Sequence, residues 1–204
     1  MSDHPFTTLV VGSIGVNCYL VPAPQSDRLY IIDPGDDAAD IIAAAADFPG
    51  RKAVILLTHA HVDHIGACGA VAKQLGIDRV CLDPADAALY SSPENHLLPY
   101  LPPAKDLPPA AEFFPQEDFT VIQTPGHTPG SVCLWFKDYG SMFTGDTLFQ
   151  GSIGRTDLPG GDYDTLMRSL HEKLMVLPDD LKVFPGHQYW STIGREKKTN
   201  PYLA

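Results

Sequence analysis

A short polar string, THAHVDH at positions 58–64, constrains this chain more than any other part of its sequence. It places four side chains that bind metal ions within six positions, directly after an apolar run. With the chain's own residue frequencies, an HxHxDH match arises by chance in about one sequence in a thousand. In an extended segment residues i and i+2 point to the same side, so His59 and His61 can hold one ion. Asp63 and His64 lie beyond the bend and face a second ion, so the string predicts two metals.

Three further stretches end a predicted strand with a side chain that binds metal ions. His127 follows Thr-Pro-Gly, Asp146 follows Phe-Thr-Gly, and His187 follows Phe-Pro-Gly. Gly and Pro favour tight turns, so a rigid sheet can present these side chains from its loops at one rim. The seven candidates are nitrogen and oxygen ligands without a Cys, which is typical of catalytic hydrolytic metals rather than of a structural zinc.

Predicted strands and helices alternate along the chain, which indicates an α/β fold. Short apolar runs rich in β-branched residues predict strands at 9–11, 18–21, 29–32, 54–57, 119–122, 132–136 and 181–184. Ala-rich or Leu-rich spacing predicts helices at 38–48, 65–75 and 164–174. Seven prolines between Ser92 and Pro115 predict a long surface loop that can frame a site. With 204 residues, of which 44% are hydrophobic, we expect a single domain over 1–204.

The charge balance and the N-terminus exclude several classes of partner. The formal net charge is -11, and no basic run is longer than Lys197-Lys198. Such a chain repels phosphate backbones and anionic lipids, so we expect neither a nucleic-acid nor a membrane partner. The first residues lack a positive region followed by an apolar stretch. A cytoplasmic protein with a small-molecule substrate is therefore expected.

The motifs together resemble the metallo-β-lactamase superfamily over nearly the whole chain. They are THxHxDHxxG at 58–66, Pro-Gly-His at 125–127, Gly-Asp at 145–146 and Pro-Gly-His at 185–187. The resemblance implies an αββα sandwich, in which two mixed β-sheets pack face to face with helices on the outer faces and metals at one edge. It also implies two metal sites, one formed by His59, His61 and His127, the other by Asp63, His64 and His187, with Asp146 bridging them.

The same resemblance suggests a mechanism and a role for Asp33. Two divalent ions lower the pKa of a shared water to near ~7, which supplies a bridging hydroxide that attacks a carbonyl. Asp63 and Asp146 would be the catalytic carboxylates, because Asp63 orients the hydroxide and Asp146 joins the ions. Asp33 matches a family Asp that fixes the tautomer of a ligand imidazole, although a turn-stabilising Asp is an equal alternative. Zinc is the expected metal, and iron or manganese suit the same ligands.

Within the superfamily, the stretches FTGDTLF at 143–149 and GSIGR at 151–155 resemble glyoxalase II, the hydroxyacylglutathione hydrolases. This implies a thioesterase whose Arg155 and Tyr189 contact the glutathione moiety of a conjugate. A surface salt bridge is the alternative role for Arg155. Larger members continue into a helical domain with further basic contacts. We expect no such C-terminal domain here, as in compact single-domain members, and expect the basic stretch 195–198 to be a solvated charge run or a partial replacement.

Other interpretations remain open at this stage. GRTD at 154–157 also resembles persulfide dioxygenases, in which His59, His127 and Asp146 would hold a single iron. A lactonase or another ester hydrolase would use the same hydroxide, and a non-catalytic metal-binding protein would keep the ligands without the reaction. Hydrolysis of β-lactams fits poorly, because His64 occupies a position where β-lactamase classes place Arg or Cys.

Overall fold

The computed structural model describes residues 4–93, 95–97, 99, 101–113 and 116–203. Pro115, the last proline of the segment 92–115, lies outside these residues. Along the chain the elements are β1 (Thr7–Val11), β2 (Val16–Pro22), β3 (Arg28–Ile32), α1 (Ala38–Ala45), β4 (Lys52–Leu56), α2 (Val62–Ile65), α3 (Cys68–Leu75), β5 (Val80–Cys81), α4 (Ala87–Ser91), β6 (Ala110–Ala111), β7 (Thr120–Gln123), β8 (Val132–Phe136), β9 (Ser141–Gly145), β10 (Leu148–Phe149), β11 (Ser152–Ile153), α5 (Tyr163–Ser169), β12 (Lys182–Pro185), β13 (Ser191–Thr192) and α6 (Ile193–Thr199).

The described strands form two mixed sheets and a short hairpin. The first sheet has the order β1-β2-β3-β4-β5-β6, and the second has the order β13-β12-β9-β8-β7. In the first sheet β1, β2 and β3 pair antiparallel, whereas β3 to β6 pair parallel. In the second, only β12 and β9 pair parallel. Strands β10 and β11 form the separate hairpin.

Side-chain alternation along the strands builds four layers. On β3, Tyr30 and Ile32 point into a cluster shared with Phe136 and Phe143 of the second sheet, so the two sheets pack face to face. The neighbouring residues of β3 point the other way, toward α1 and α3. A third cluster joins the outer face of the second sheet to α5 and α6. The αββα sandwich predicted from the resemblance is confirmed.

Several elements differ from the sequence-based prediction. The helix predicted at 65–75 is two helices, because the chain breaks at Gly66 and Ala67 between α2 and α3. The helix predicted at 164–174 is α5 followed by a π-helical turn at Leu170–Leu174. The basic stretch 195–198 lies in α6, where Arg195 and Lys198 are exposed, as expected for a solvated charge run, while the carboxylate of Glu196 is buried. Among the described residues, none of the helices combines the length and apolar character needed to span a bilayer.

Candidate metal centre

The candidate ligands lie where strands end at one edge of the sandwich. The histidine string (58–64) follows β4 and leads into α2, and His127 lies in the connection between β7 and β8. Asp146 comes directly after β9. His187 follows β12, where it bridges to Val16 at the start of β2. Both sheets therefore contribute ligands to a single cluster.

The structure brings all seven predicted ligands together. Three sets of possible ligand atoms each lie within 4.8 Å of one another: His59, His61 and His127; His59, His64 and Asp146; Asp63, His64 and His187. The first and third sets are those that the resemblance implies for two ions. Asp146 contacts members of both, because its Oδ2 lies 3.7 Å from Nε2 of His127 and 3.7 Å from Nε2 of His187. This position suits a bridging carboxylate.

Hydrogen bonds behind the histidines orient their rings. Nδ1 of His127 donates to the carbonyl of Arg155 at 2.7 Å, and Nδ1 of His187 donates to the carbonyl of Gly15 at 3.2 Å. Carbonyl oxygens only accept, so Nδ1 of each ring carries a proton, which leaves Nε2 as the atom with which the neutral ring can bind a metal ion. A metal ion needs the lone pair of this atom on a neutral imidazole.

Asp33 does the same for the histidine string. Its Oδ1 accepts from the backbone N–H of Thr58 at 2.8 Å. Its Oδ2 accepts from the Thr58 hydroxyl at 2.6 Å and from Nδ1 of His64 at 3.0 Å. Because the Thr58 hydroxyl gives its proton to Asp33, it accepts from Nδ1 of His59 at 3.1 Å. One buried carboxylate thus directs Nε2 of both histidines toward the centre.

Unpaired buried atoms show that the cluster fits metal ions. In the described part of the chain, five buried side-chain nitrogen or oxygen atoms lack a hydrogen-bond partner. Four of them belong to this cluster: Nε2 of His59, Oδ1 of Asp63, Nε2 of His64 and Oδ1 of Asp146. Unsatisfied buried polar groups are costly, so several of them aimed at one point indicate a site that cations complete.

The electrostatics divide the histidines into two groups. Burial lowers the pKa of His61 to about 4 and holds the pKa of His59 well below its usual value, so both imidazoles are neutral. Burial also disfavours the charged form of His64, but Asp63, Asp146 and Asp33 outweigh it and raise its pKa well above the usual value. The carboxylates that raise this pKa form the negative environment in which a divalent cation binds favourably.

Gly186 makes close approach possible at the centre. A Cβ at this position would lie 2.6 Å from Cε1 of His64 and would also collide with Oδ1 of Asp146. Any other residue would therefore push apart two candidate ligands, one from α2 and the other from the end of β9. The Pro-Gly-His motif consequently serves the cluster through its glycine as well as through His187.

Two positioning residues of this site have no motif in the sequence. Oδ2 of Asp86 accepts from the backbone N–H of Ala60 at 3.0 Å and from the Thr128 hydroxyl at 2.7 Å. Its Oδ1 accepts from the N–H of Gly130 at 2.6 Å, so Asp86 joins the loops that carry His59, His61 and His127. Asn95 accepts at its carbonyl from the N–H of Val62 at 3.0 Å. The hydrogen-bond partners of Asp86 lie 26 to 44 positions away in the sequence, so no local pattern indicates its role.

The two predicted substrate contacts lie at the margin of the cluster. Nε and Nη2 of Arg155 each bond to a carboxylate oxygen of Asp157 at 2.7 Å. The guanidinium is thus paired, as in the salt-bridge alternative. The side chain of Tyr189 is 77% exposed and lines a cavity with Trp190 that does not include Asp63. Contact of Arg155 and Tyr189 with a substrate stays a prediction.

Comparison with known proteins agrees with this geometry. The family model described as "Metallo-beta-lactamase superfamily" matches residues 11–187, and the chain belongs to this superfamily. The hydroxyacylglutathione hydrolase GloC of Haemophilus influenzae is 36% identical over 196 residues, which cover 92% of each chain. The similarities support a metal-dependent hydrolase of the superfamily.

Two solved structures are similar over almost their whole length. The crystal structure of BLEG-1 B3 metallo-β-lactamase has a TM-score of 0.84 and 36% identity, and covers 98% of this chain and 99% of its own. The crystal structure of TTHA1623 in a di-iron-bound form has a TM-score of 0.83 and 36% identity. The match covers 97% of this chain and 100% of that chain. At least one protein with a fold similar to that of this chain therefore binds two metal ions.

Proposed function

We propose that this protein is a thioesterase of the hydroxyacylglutathione hydrolase type with two divalent metal ions, zinc being the expected metal. The convergence of two sets of three candidate ligands on Asp146, which contacts members of both, carries this proposal. The similarity to GloC over 92% of each chain supports the choice of substrate. In the reaction, water adds to the thioester carbonyl, the carbon–sulfur bond breaks, and a carboxylic acid and a thiol leave.

The residues of the chain divide the work of this reaction. When bound, divalent cations supply an acidified water with a pKa near ~7 and a Lewis acid for the carbonyl oxygen. His59, His61 and His127 would hold one cation, and Asp63, His64 and His187 the other. Oδ1 of Asp63 has no other hydrogen-bond partner and can orient the attacking water.

We propose that Arg155 and Tyr189 contact the thiol carrier of the substrate. Glutathione carries carboxylates, which an arginine binds well. Since Arg155 pairs with Asp157 at an exposed position, an incoming carboxylate would exchange with Asp157 at little cost. We propose this exchange as the recognition step for a glutathione conjugate, a small-molecule partner.

The test is hydrolysis of S-D-lactoylglutathione by protein reconstituted separately with zinc, manganese and iron. We expect turnover by the wild type and a loss of at least about a hundred-fold in kcat/KM in His187→Ala, since His187 would hold a metal. His171→Ala, on the π-helical turn outside the cluster, is the matched control and should retain wild-type activity. Absence of turnover with every metal contradicts the proposal. Oxygen consumption on glutathione persulfide by the iron form would instead identify a persulfide dioxygenase.

Hydrolysis of β-lactams is a second candidate because of BLEG-1. The sequence predicts a poor fit to this activity, yet a structure described as a B3 metallo-β-lactamase is 36% identical and covers 98% of this chain. A chromogenic cephalosporin assayed with the same reconstituted proteins distinguishes the two activities. Turnover of the cephalosporin without turnover of the thioester would favour the second candidate. Lactones, tested alongside, address the remaining ester-hydrolase alternative.

A further inference from the structure

A cavity of about 360 Å³ lies beside Asp63. Its walls come from the turn between β1 and β2, from the start of α2 and from residues 101–105 of the proline-rich segment. The proposed ligand Asp63 is part of its lining, so a substrate held at the metal centre can extend into this space. The volume lies in the range of small-molecule binding sites and exceeds what a lactoyl group needs.

Hydrocarbon dominates the walls of this cavity. Ile14 lies at the tip of the β1–β2 turn and is 41% exposed, and Leu101 and Pro103 line the same space. Val62, next to Asp63, adds a further apolar surface at the inner end. An apolar group that entered would remove this surface from water, which is favourable in proportion to the area covered.

The proline-rich wall is held against the candidate metal centre by Asn95. Its Oδ1 accepts from the backbone N–H of Ala104 at 3.1 Å, and its Nδ2 donates to the carbonyl of Tyr90 at 3.0 Å. Its own carbonyl accepts from the N–H of Val62. Asn95 thus connects a cavity wall, through its buried side chain, with the helix that carries Asp63 and His64, through its backbone carbonyl. The cavity is therefore a built feature of the centre rather than a gap between unrelated loops.

We infer that this cavity binds the acyl group of the thioester and selects an apolar acyl chain longer than lactoyl. The inference rests on the proposed thioesterase function. The thiol carrier is the poorer occupant, because Lys105 is the one cation among the described residues of this lining, whereas Asp36 and Asp63 repel the carboxylates of glutathione. An acyl chain carries no charge beyond its carbonyl and gains from each methylene group that it buries.

A binding experiment tests the cavity without relying on hydrolysis. S-Hexylglutathione and S-methylglutathione are stable thioethers that differ only in the apolar chain, and calorimetry with zinc-loaded protein compares them. We expect S-hexylglutathione to bind at least about ten-fold more tightly. In Ile14→Ser this preference should fall by about ten-fold. Val10→Ser is the matched control, since Val10 is 70% exposed on the same hairpin and lines a different cavity.

Activity measurements add a second readout. Wild-type kcat/KM should be higher for S-hexanoylglutathione than for S-D-lactoylglutathione, and Ala104→Phe, which fills the cavity, should reverse this order. The inference is overturned if S-hexylglutathione fails to bind or binds no better than S-methylglutathione. It is also overturned if both cavity variants keep the wild-type preference. The expected binding preference without hydrolysis of any thioester would support the cavity and refute the thioesterase.

Discussion

The carboxylate of Asp33 holds the first and last residues of the histidine string in one network. It accepts from Thr58 through two donors and from Nδ1 of His64 through a third, and it is buried. The backbone of Asp33 has φ 51°, a left-handed conformation that Asp tolerates better than most residues. The local structure at the end of β3 therefore places a carboxylate where the β4 loop needs an acceptor.

For Asp33→Asn we expect metal affinity to fall by about 10- to 100-fold, because the amide cannot accept from all three donors. We also expect a loss of about 2 kcal/mol in the free energy of unfolding. Chelator competition and urea denaturation measure the two effects. Asp40→Asn, on the exposed side of α1, removes the same charge and should change neither. Equal metal affinities for the two variants would show that Asp33 does not orient a ligand.

Metal affinity should rise steeply with pH. The carboxylate neighbours raise the pKa of His64, and Asp63 raises that of His187 against the opposing effect of burial. At a pH below the raised pKa of such a histidine, a proton competes with the cation for Nε2. Metal binding must therefore release protons. His61, with a pKa of about 4, contributes no such release near neutral pH. Calorimetry in buffers with different ionisation enthalpies, from about pH 6 to about pH 8, measures the protons released. An affinity that does not depend on pH would contradict this account.

The cluster of candidate ligands could be predicted from sequence, but the residues that position them could not. All seven candidates follow a predicted strand closely and have Gly, Pro or another candidate ligand nearby in the sequence. Such local patterns are visible without a structure. Asp86 and Asn95 are single polar residues in loops, and their partners are distant in sequence. The pairing of Arg155 with Asp157 is local, yet the sequence does not distinguish it from a contact with substrate.

At the scale of elements, the turn that begins α4 joins the two loops that would hold the first metal. Asp86, at the N-terminal end of α4, accepts from Ala60 in one loop and from Gly130 in the other. The loop with Ala60 follows β4 of the first sheet, and the loop with Gly130 follows β7 of the second sheet. The separation of His59 and His61 from His127 is therefore set by a third element.

Asp86→Asn should lower the affinity of the first site for its metal by about ten-fold. The amide NH2 group would face N–H or O–H donors where the carboxylate accepts from them, and this would move the two loops apart. Asp83→Asn is the matched control, because Asp83 belongs to the same turn and its side chain, among the contacts described, accepts from Ala85 and Gln123 rather than from either loop. Both variants should lose stability, but only Asp86→Asn should lose metal affinity. Equal metal affinity in the two variants would assign Asp86 a purely structural role.

Strands with clear apolar runs were predictable, whereas very short or polar elements were not. The predicted strands, including the one that ends before Asp146, coincide with β1–β4, β7–β9 and β12 to within a few residues. Strands β5, β6, β10, β11 and β13 have two residues each, too few to show a period. Helix α6 contains four charged residues in seven, and the carboxylate of Glu196 within it accepts from the N–H of Gly151, 45 positions away. Such a distant partner is invisible in the local pattern.

At the scale of the whole molecule, the sandwich gathers the candidate metal ligands at one edge and keeps apolar side chains between its sheets. Aromatic and aliphatic side chains fill the space between the sheets, away from the candidate metal centre. The centre itself buries two carboxylates and several imidazoles with unpaired atoms. Cations that bind only the folded chain would compensate this cost and stabilise the fold. Fold and proposed chemistry are thus coupled through the same residues.

The number of metal ions bound per chain tests the central claim most directly. Elemental analysis of zinc-reconstituted protein after removal of free metal should give about two ions per chain for the wild type. It should give about one for His187→Ala, which keeps the three histidines of the other set. A wild type that binds no metal, or that binds a single ion unaffected by this substitution, would contradict the two-metal centre.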